Sequence, residues 1–309
     1  FSREKYLDKA FSDSFQTLMK KILLTRDLRK VQNTNLKKIK NLIGSFQILE
    51  ERYSSNKYRL KIKVYFNELE TKKFLSEKNI SFVLLEETKA IFFPVLYIDD
   101  KIKNFDENFF YKNWKKLEIE NEIINFILPL DDLDDILKIE KFKNSIDSIN
   151  VDDLVNKYNV DNYIFALIDY KKEKLNIYLK AEFNKNMITK NIIYDLDKIN
   201  NNEKLIKILK DLKLKIIDMW KEENLINLLM PLSIDLKFNH KNVGELYKIN
   251  NVFSKVDIIE NYSLEEFDVD NSLFKIYYFG NPKKLTSELI KFGYKLNFDQ
   301  GYWQVYLNE

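Results

Sequence analysis

Apolar residues recur at spacings of three and four from Glu4 to Thr25, at Leu7, Phe11, Phe15, Leu18, Met19, Ile22 and Leu23. That period predicts an amphipathic helix. A short helix follows near Asn35 to Ile43, with Gly44 placed to end it as a C′ residue. The pattern then changes to a period of two. Phe46 to Tyr53 and Lys57 to Phe66 flank Ser54-Ser-Asn56, and Tyr58, Leu60, Ile62, Val64 and Phe66 alternate with polar residues. This predicts a hairpin with one buried face. Glu68 to Lys78 returns to a helical pattern, and Phe82 to Leu85 reads as a short extended segment that could close the module.

A second set of elements begins at the apolar run Ala90 to Ile98. Helical stretches follow at Phe109 to Leu117, Asp131 to Phe142 and Val151 to Tyr158, with a candidate strand at Ile123 to Leu128. Tyr163 to Tyr170 is apolar on both faces, as in the centre of a covered sheet. Leu175 to Phe183 alternates, as a more exposed strand does, and Met187 to Leu196 is also extended. A long amphipathic helix runs from Glu203 to Leu228 on a stripe of Leu205, Ile208, Leu209, Leu212, Ile216, Met219 and Trp220. After Met230-Pro231 the order reads strand (Leu232 to Phe238), helix (Val243 to Asn250), strand (Val256 to Tyr262), loop (Ser263 to Asn271) and strand (Phe274 to Tyr278). Helix Lys283 to Phe292 and a hairpin over Asp299-Gln-Gly301 complete it. This is a split βαβ, ferredoxin-like plan with one added strand. The expected class is therefore α/β (α+β) in three small modules: 1–88, 89–229 and 230–309.

Composition narrows the function classes. The 309 residues carry 51 basic and 48 acidic side chains for a net charge of +3, with the two signs closely interspersed. That is a mixed solvated surface rather than a footprint for nucleic acid or anionic lipid. The absence of Cys removes disulfides, thiolate metal sites and cysteine nucleophiles. No apolar run approaches the roughly 18 residues of a membrane-spanning helix. The chain begins at Phe1, which fits either a removed signal peptide or a truncated chain. No two of the 5 glycines lie within six residues of each other, so no phosphate-binding glycine loop can be built.

Three segments hold candidate chemistry. His240 is the only histidine, and its setting between a strand and a helix predicts an exposed loop or N-cap position. Leu130-Asp-Asp-Leu-Asp-Asp135 offers four carboxylates that either bind a divalent cation or complement the first turn of a helix. Asp99-Asp100 and Asp152-Asp153 are smaller acidic pairs at element ends. Lys57, Arg59, Lys61 and Lys63 fall on one face of a strand, where they either contact phosphates or guard an edge against aggregation. The aromatic residues Phe109, Phe110, Tyr111, Trp114, Tyr302 and Trp303 either form an exposed contact surface or belong to the core.

Taken along the chain, the helix Ala10 to Leu24, the hairpin after it, Asp218-Met-Trp-Lys221 and the closing pattern Phe279-Gly…Leu285…Leu289…Gly293…Leu296…Gly301-Tyr-Trp303 resemble a family of proteobacterial envelope proteins described only as a domain of unknown function. The middle segment, Asp153 to Asp161 followed by Tyr163 to Ile168, is similar to the α/β domain of the TolB N-terminal region, CsgG-type lipoproteins and activators of penicillin-binding proteins. One departure is the lack of glycine after the strand Ala166-Leu-Ile-Asp-Tyr170. The resemblance implies a secreted or periplasmic, non-enzymatic scaffold without cofactor or metal. Its partners would be envelope proteins, in homo- or hetero-oligomers and without nucleic acid. The alternatives are a cytoplasmic nucleic-acid-binding or regulatory module using the lysine-bearing sheet face, and an acid- or metal-dependent enzyme centred on Asp131 to Asp135.

Overall fold

The computed structural model describes residues 3–54, 57–120, 122–130, 135, 138–140, 151–226, 231–280, 282–299 and 302–307. The chain is mixed α/β with three sheets among these residues. Two compact units form: one of Phe1–Ser14, Arg29–Leu84 and Asn224–Glu309, the other of Phe15–Leu28 and Leu85–Glu223.

In the first unit, the start of helix α1 (Arg3–Ile22) meets the hairpin of strands β1 (Ile43–Ser54) and β2 (Lys57–Phe66). Tyr6 packs on Tyr58 and Phe11 on Phe46, with ring centroids 4.7 and 5.0 Å apart, while Arg3 holds Glu51 at 2.6 Å. The predicted alternation is present: Tyr58, Leu60, Ile62, Val64 and Phe66 are half-buried, and Arg59, Lys61, Lys63 and Tyr65 are exposed. Helix α2 (Leu36–Leu42) is N-capped by Asn35, whose side chain accepts from the Lys38 amide. Its C-terminus corrects the expectation for Gly44. Ile43 is already extended, the Leu42 carbonyl accepts from the Asn67 amide at 2.7 Å, and Gly44 lies within β1. No left-handed cap is needed when the returning strand takes the orphan carbonyl. Helix α3 (Glu68–Glu77) follows its Asn67 cap, and the predicted segment Phe82 to Leu85 is reduced to one bridge between Phe82 and Ile226.

The same unit holds a five-stranded sheet built from β9 (Leu232–Asn239), β10 (Ile259–Phe267), β11 (Asn271–Tyr278), β12 (Tyr294–Asp299) and β13 (Tyr302–Leu307), in the order β10-β11-β9-β13-β12. β9 and β10 run parallel with β11 between them, joined by the helix Val243–Phe253. β11 and β12 run parallel across β9 and β13, joined by the helix Pro282–Lys291. The extra strand β13 is inserted between β9 and β12, parallel to β9. The segment expected as a loop from Ser263 is strand as far as Phe267. β10 is an edge strand with six of its nine residues exposed, so it carries no apolar run to betray it.

The second unit holds a sheet of β3 (Thr88–Ile98), β4 (Lys101–Lys103), β5 (Ile124–Ile127), β6 (Tyr163–Lys171), β7 (Lys174–Phe183) and β8 (Asn186–Asp195), in the order β4-β3-β6-β7-β8 with β5 also on β3. β3 is buried from Ala90 to Tyr97 and pairs in parallel with β6. On its other side it pairs with β5 through Thr88 to Ile91 and with β4 through Leu96 to Ile98. Pro94 sits in the gap between those two partners, which is why a proline is tolerated mid-strand. Its carbonyl accepts from Asn108 Nδ2 at 3.1 Å. Asn108 is fully buried, and its Oδ1 also accepts from the amides of Phe110 and Tyr111, capping helix α4 (Phe109–Trp114). Trp114 stacks on Phe92 at 3.6 Å and meets Phe126 edge-on at 5.2 Å.

The hairpins β3–β4, β6–β7 and β7–β8 turn through two residues each, Asp99-Asp100, Lys172-Glu173 and Asn184-Lys185, all with positive φ. Such turns match the right-handed twist of the strands but favour Asn-Gly. This chain makes them without glycine.

Two outcomes follow for stability. Asn108→Ala removes a cap and orphans a buried carbonyl, and should lower the unfolding free energy by roughly 2–3 kcal/mol. Asn108→Ser, which keeps a neutral N-cap acceptor, should cost less than the alanine variant. Equal losses in urea titrations would contradict the dual role. The double variant Lys172→Asn/Glu173→Gly should gain about 1 kcal/mol by relieving left-handed backbone strain. An unchanged or lower urea midpoint would refute that.

Candidate functional site: the open face of the five-stranded sheet

Strand register sorts the side chains of this sheet. Ser272, Phe274, Ile276 and Tyr278 of β11 are buried, while Asn271, Leu273, Lys275 and Tyr277 between them are half-exposed. On β9, Leu236 and Phe238 are buried and Lys237 is not. Phe253 of the first crossover helix packs on Phe274 and Tyr262, at 5.2 and 5.4 Å, against the buried face. Right-handed crossovers moving in opposite directions from antiparallel strands put both helices on that same face. Neither crossover helix covers the other face. That face carries Tyr277, Tyr302 and Tyr306 with Lys237, Lys275 and Gln304.

A concavity of about 610 Å³ lies there, bordered by Lys237, Glu266, Phe267, Leu273, Tyr302 and Gln304 among others. Pairing aligns Glu266 with Leu273, Leu273 with Lys237, and Lys237 with Gln304, in one row across four strands. Carboxylate, apolar floor, ammonium and amide thus stand side by side. On the covered side, burial raises the pKa of Tyr278, and burial with the nearby Glu245 charge raises that of Tyr294.

Comparison with family models, curated proteins and solved structures finds no match to this chain. The site rests on its own geometry.

The aromatic residues marked in the sequence are divided by the fold. Phe110 and Trp114 are core, with no exposed area, and Phe109 and Tyr111 are half-buried, Tyr111 stacked on Phe105. Tyr302 is 51% exposed and stands on the open face. Trp303, one residue later, turns to the covered face beside Leu236 and meets Phe298 at 5.3 Å. Only Tyr302 of the six belongs to the candidate site.

His240 corrects the expectation of exposure. It is 4% exposed, its backbone amide donates to the Asp270 carbonyl, and its Nε2 pairs with Ser272 Oγ at 2.8 Å. Phe267 stacks parallel to its ring at 5.8 Å. Its Nδ1 has no hydrogen-bond partner and Ser272 is itself buried, so no exposed nucleophile is assembled. Asp131 to Asp134 lie outside the described residues. Asp135 is buried and paired with Lys157 at 2.5 Å. Asp100 pairs with Lys171 across adjoining hairpin turns. Asp152 and Asp153 open the helix Asp152–Val155. Among the described residues no three His, Asp or Glu side chains converge as a metal site, and no helix is long and apolar enough to cross a membrane.

Sequence reading missed two buried lysines on the long helix Asn202–Asn224, within the second unit. Lys213 donates to the carbonyls of Trp114 and Leu117 at 3.2 and 2.8 Å and to Glu122 at 2.9 Å. Lys221 donates to the carbonyls of Lys20 and Leu23 at 2.8 and 2.6 Å, closing the C-terminus of α1. Burial pushes the Lys221 ammonium down to about 8, against the opposing pull of Asp218. A lysine so depressed can serve as a nucleophile, but this one spends its protons on helix carbonyls.

That shift fixes a pH dependence. Between about 8 and the ordinary value of 10.5 the unfolded chain holds a proton that the folded chain has released, so stability from this group rises with pH across that window. The full swing is roughly 3 kcal/mol. The difference in unfolding free energy between the native chain and Lys221→Met should move in favour of the native chain by that order from pH 7.5 to 10. Burial raises Tyr97 to about 12, and its effect cancels in the difference. A flat difference would show that Lys221 is not held as described.

Proposed function

We propose that the protein is a non-enzymatic binding or scaffold protein of the cell envelope whose contact surface is the open face of the five-stranded sheet. The observation that carries this is the uncovered face itself. Both connecting helices lie behind the sheet, and a concavity edged by the exposed Tyr302 opens in front. Tyrosine suits such a surface because it brings a large rigid area and a hydroxyl at low entropic cost. The envelope location and envelope proteins as partners draw support from the family resemblance of the sequence. The arrangement in three modules, 1–88, 89–229 and a ferredoxin-like 230–309, belongs to the same proposal.

A second reading has its own observation. Arg59, Lys61 and Lys63 project from the exposed side of β2, Lys63 lies 5.0 Å from the Tyr65 ring, and Arg52 stands directly opposite Arg59. Like charges facing each other weaken a sheet and favour a polyanion that separates them. On this reading the hairpin binds nucleic acid in the cytoplasm.

One experiment separates the two. A photo-crosslinking amino acid placed at Tyr302 should yield a discrete protein adduct in native cells, recovered in the envelope fraction, while the same group at Arg59 should yield none. Adducts to nucleic acid from position 59, with none from 302, would overturn the scaffold reading in favour of the second. Silence at both positions would refute both surfaces.

A further inference from the structure

The row through Lys237 sets opposite charges on either side of an apolar floor. Glu266 and Lys237 are separated by Leu273 on the intervening strand. Neighbouring strands lie about 4.8 Å apart, so the two backbones stand roughly 10 Å from each other. Neither charged side chain has a hydrogen bond or ion pair to a described residue. Both border the same concavity, with Tyr302 and Gln304 beside them.

Asp268 also borders the concavity, but its Oδ1 already accepts from the Val269 amide, and the two unpaired charges of opposite sign, Lys237 and Glu266, select against most ligands. A simple anion satisfies Lys237 but meets Glu266, and a simple cation does the reverse. A molecule with both charges satisfies each side. An ammonium and a carboxylate on one carbon, with a charge-assisted contact at each end, span about 9 Å. That is close to the separation of the two backbones, from which Glu266 and Lys237 project on the same face. The apolar floor of Leu273 and the Tyr302 ring then receive the remaining part of the ligand, and the Gln304 amide stands next to the ligand carboxylate.

We infer that this concavity binds a free α-amino acid with an apolar side chain, its ammonium at Glu266 and its carboxylate at Lys237. The inference rests on the open face being the ligand-facing surface, and adds the class of ligand. It makes the protein a receptor for a small zwitterion as well as a contact surface.

Titration calorimetry on the full chain with L-leucine, N-acetyl-L-leucine and L-leucinamide tests it. Leucine should bind saturably, and each half-blocked analogue should bind at least about tenfold more weakly, as expected from losing one charge-assisted contact. Lys237→Met should bring leucine down to the level of leucinamide, and Glu266→Gln to that of N-acetyl-leucine. Both side chains are surface groups, so the variants should keep the native circular dichroism and urea midpoint. Absence of saturable leucine binding at millimolar concentration, or binding that neither variant weakens, would overturn the inference. Loss of leucine binding with the Tyr302 crosslink intact would leave the scaffold reading standing. Leucine binding without any Tyr302 adduct would remove the scaffold reading and keep this one.

Discussion

The handedness of two crossovers governs what this protein can present to a partner. β9 to β10 and β11 to β12 are each joined through a helix, and the two connections move in opposite directions along the sheet from strands that are themselves antiparallel. Right-handed crossovers then place both helices on one side. Everything on the other side follows from the two-residue period of a strand. A shift of one residue in β9 or β13 would send Lys237 or Gln304 into the core and bring Leu236 or Val305 to the surface. The insertion of β13 between β9 and β12 widens the open face by a strand and brings Tyr302 to it.

A different economy of polar groups operates in the other unit. Asn108 joins the first turn of α4 to the Pro94 carbonyl, Lys213 takes the carbonyls at the far end of that helix, and Lys221 takes those at the end of α1. Each buried group meets backbone that would otherwise lack partners. The arrangement binds irregular chain ends to regular elements with few glycines and prolines. The same economy shows in the three hairpin turns that adopt positive φ with Asp, Lys, Glu and Asn.

Much of the secondary structure was legible because periodicity reports burial. The period-two run Tyr58 to Phe66 and the both-faces-apolar run Tyr163 to Ile168 fall where the pattern put them. Features set by tertiary partners were not legible. Gly44 looked like a helix cap, but Asn67 supplies the missing donor from 25 residues away. β10 was hidden because an edge strand needs a neighbour and not an apolar face. Lys213 and Lys221 resembled solvent-facing lysines on an amphipathic helix, since nothing local records a distant carbonyl. The site was legible only at Tyr302. Lys237, Glu266 and Leu273 are 36 residues apart at most in sequence, yet their alignment depends on register between three strands.

The central claim is that one face of the five-stranded sheet is uncovered and carries the Lys237 row. Because the chain has no cysteine, single substitutions report without interference. The most direct measurement is the rate of maleimide labelling of the folded protein with cysteine placed in turn at Leu236, Lys237 and Phe238 on β9 and at Gln304 and Val305 on β13. The account predicts fast labelling at 237 and 304 and strong protection at 236, 238 and 305. Protection at 237 and 304, or uniform labelling along either strand, would mean that the face is covered or the register differs, and would contradict it.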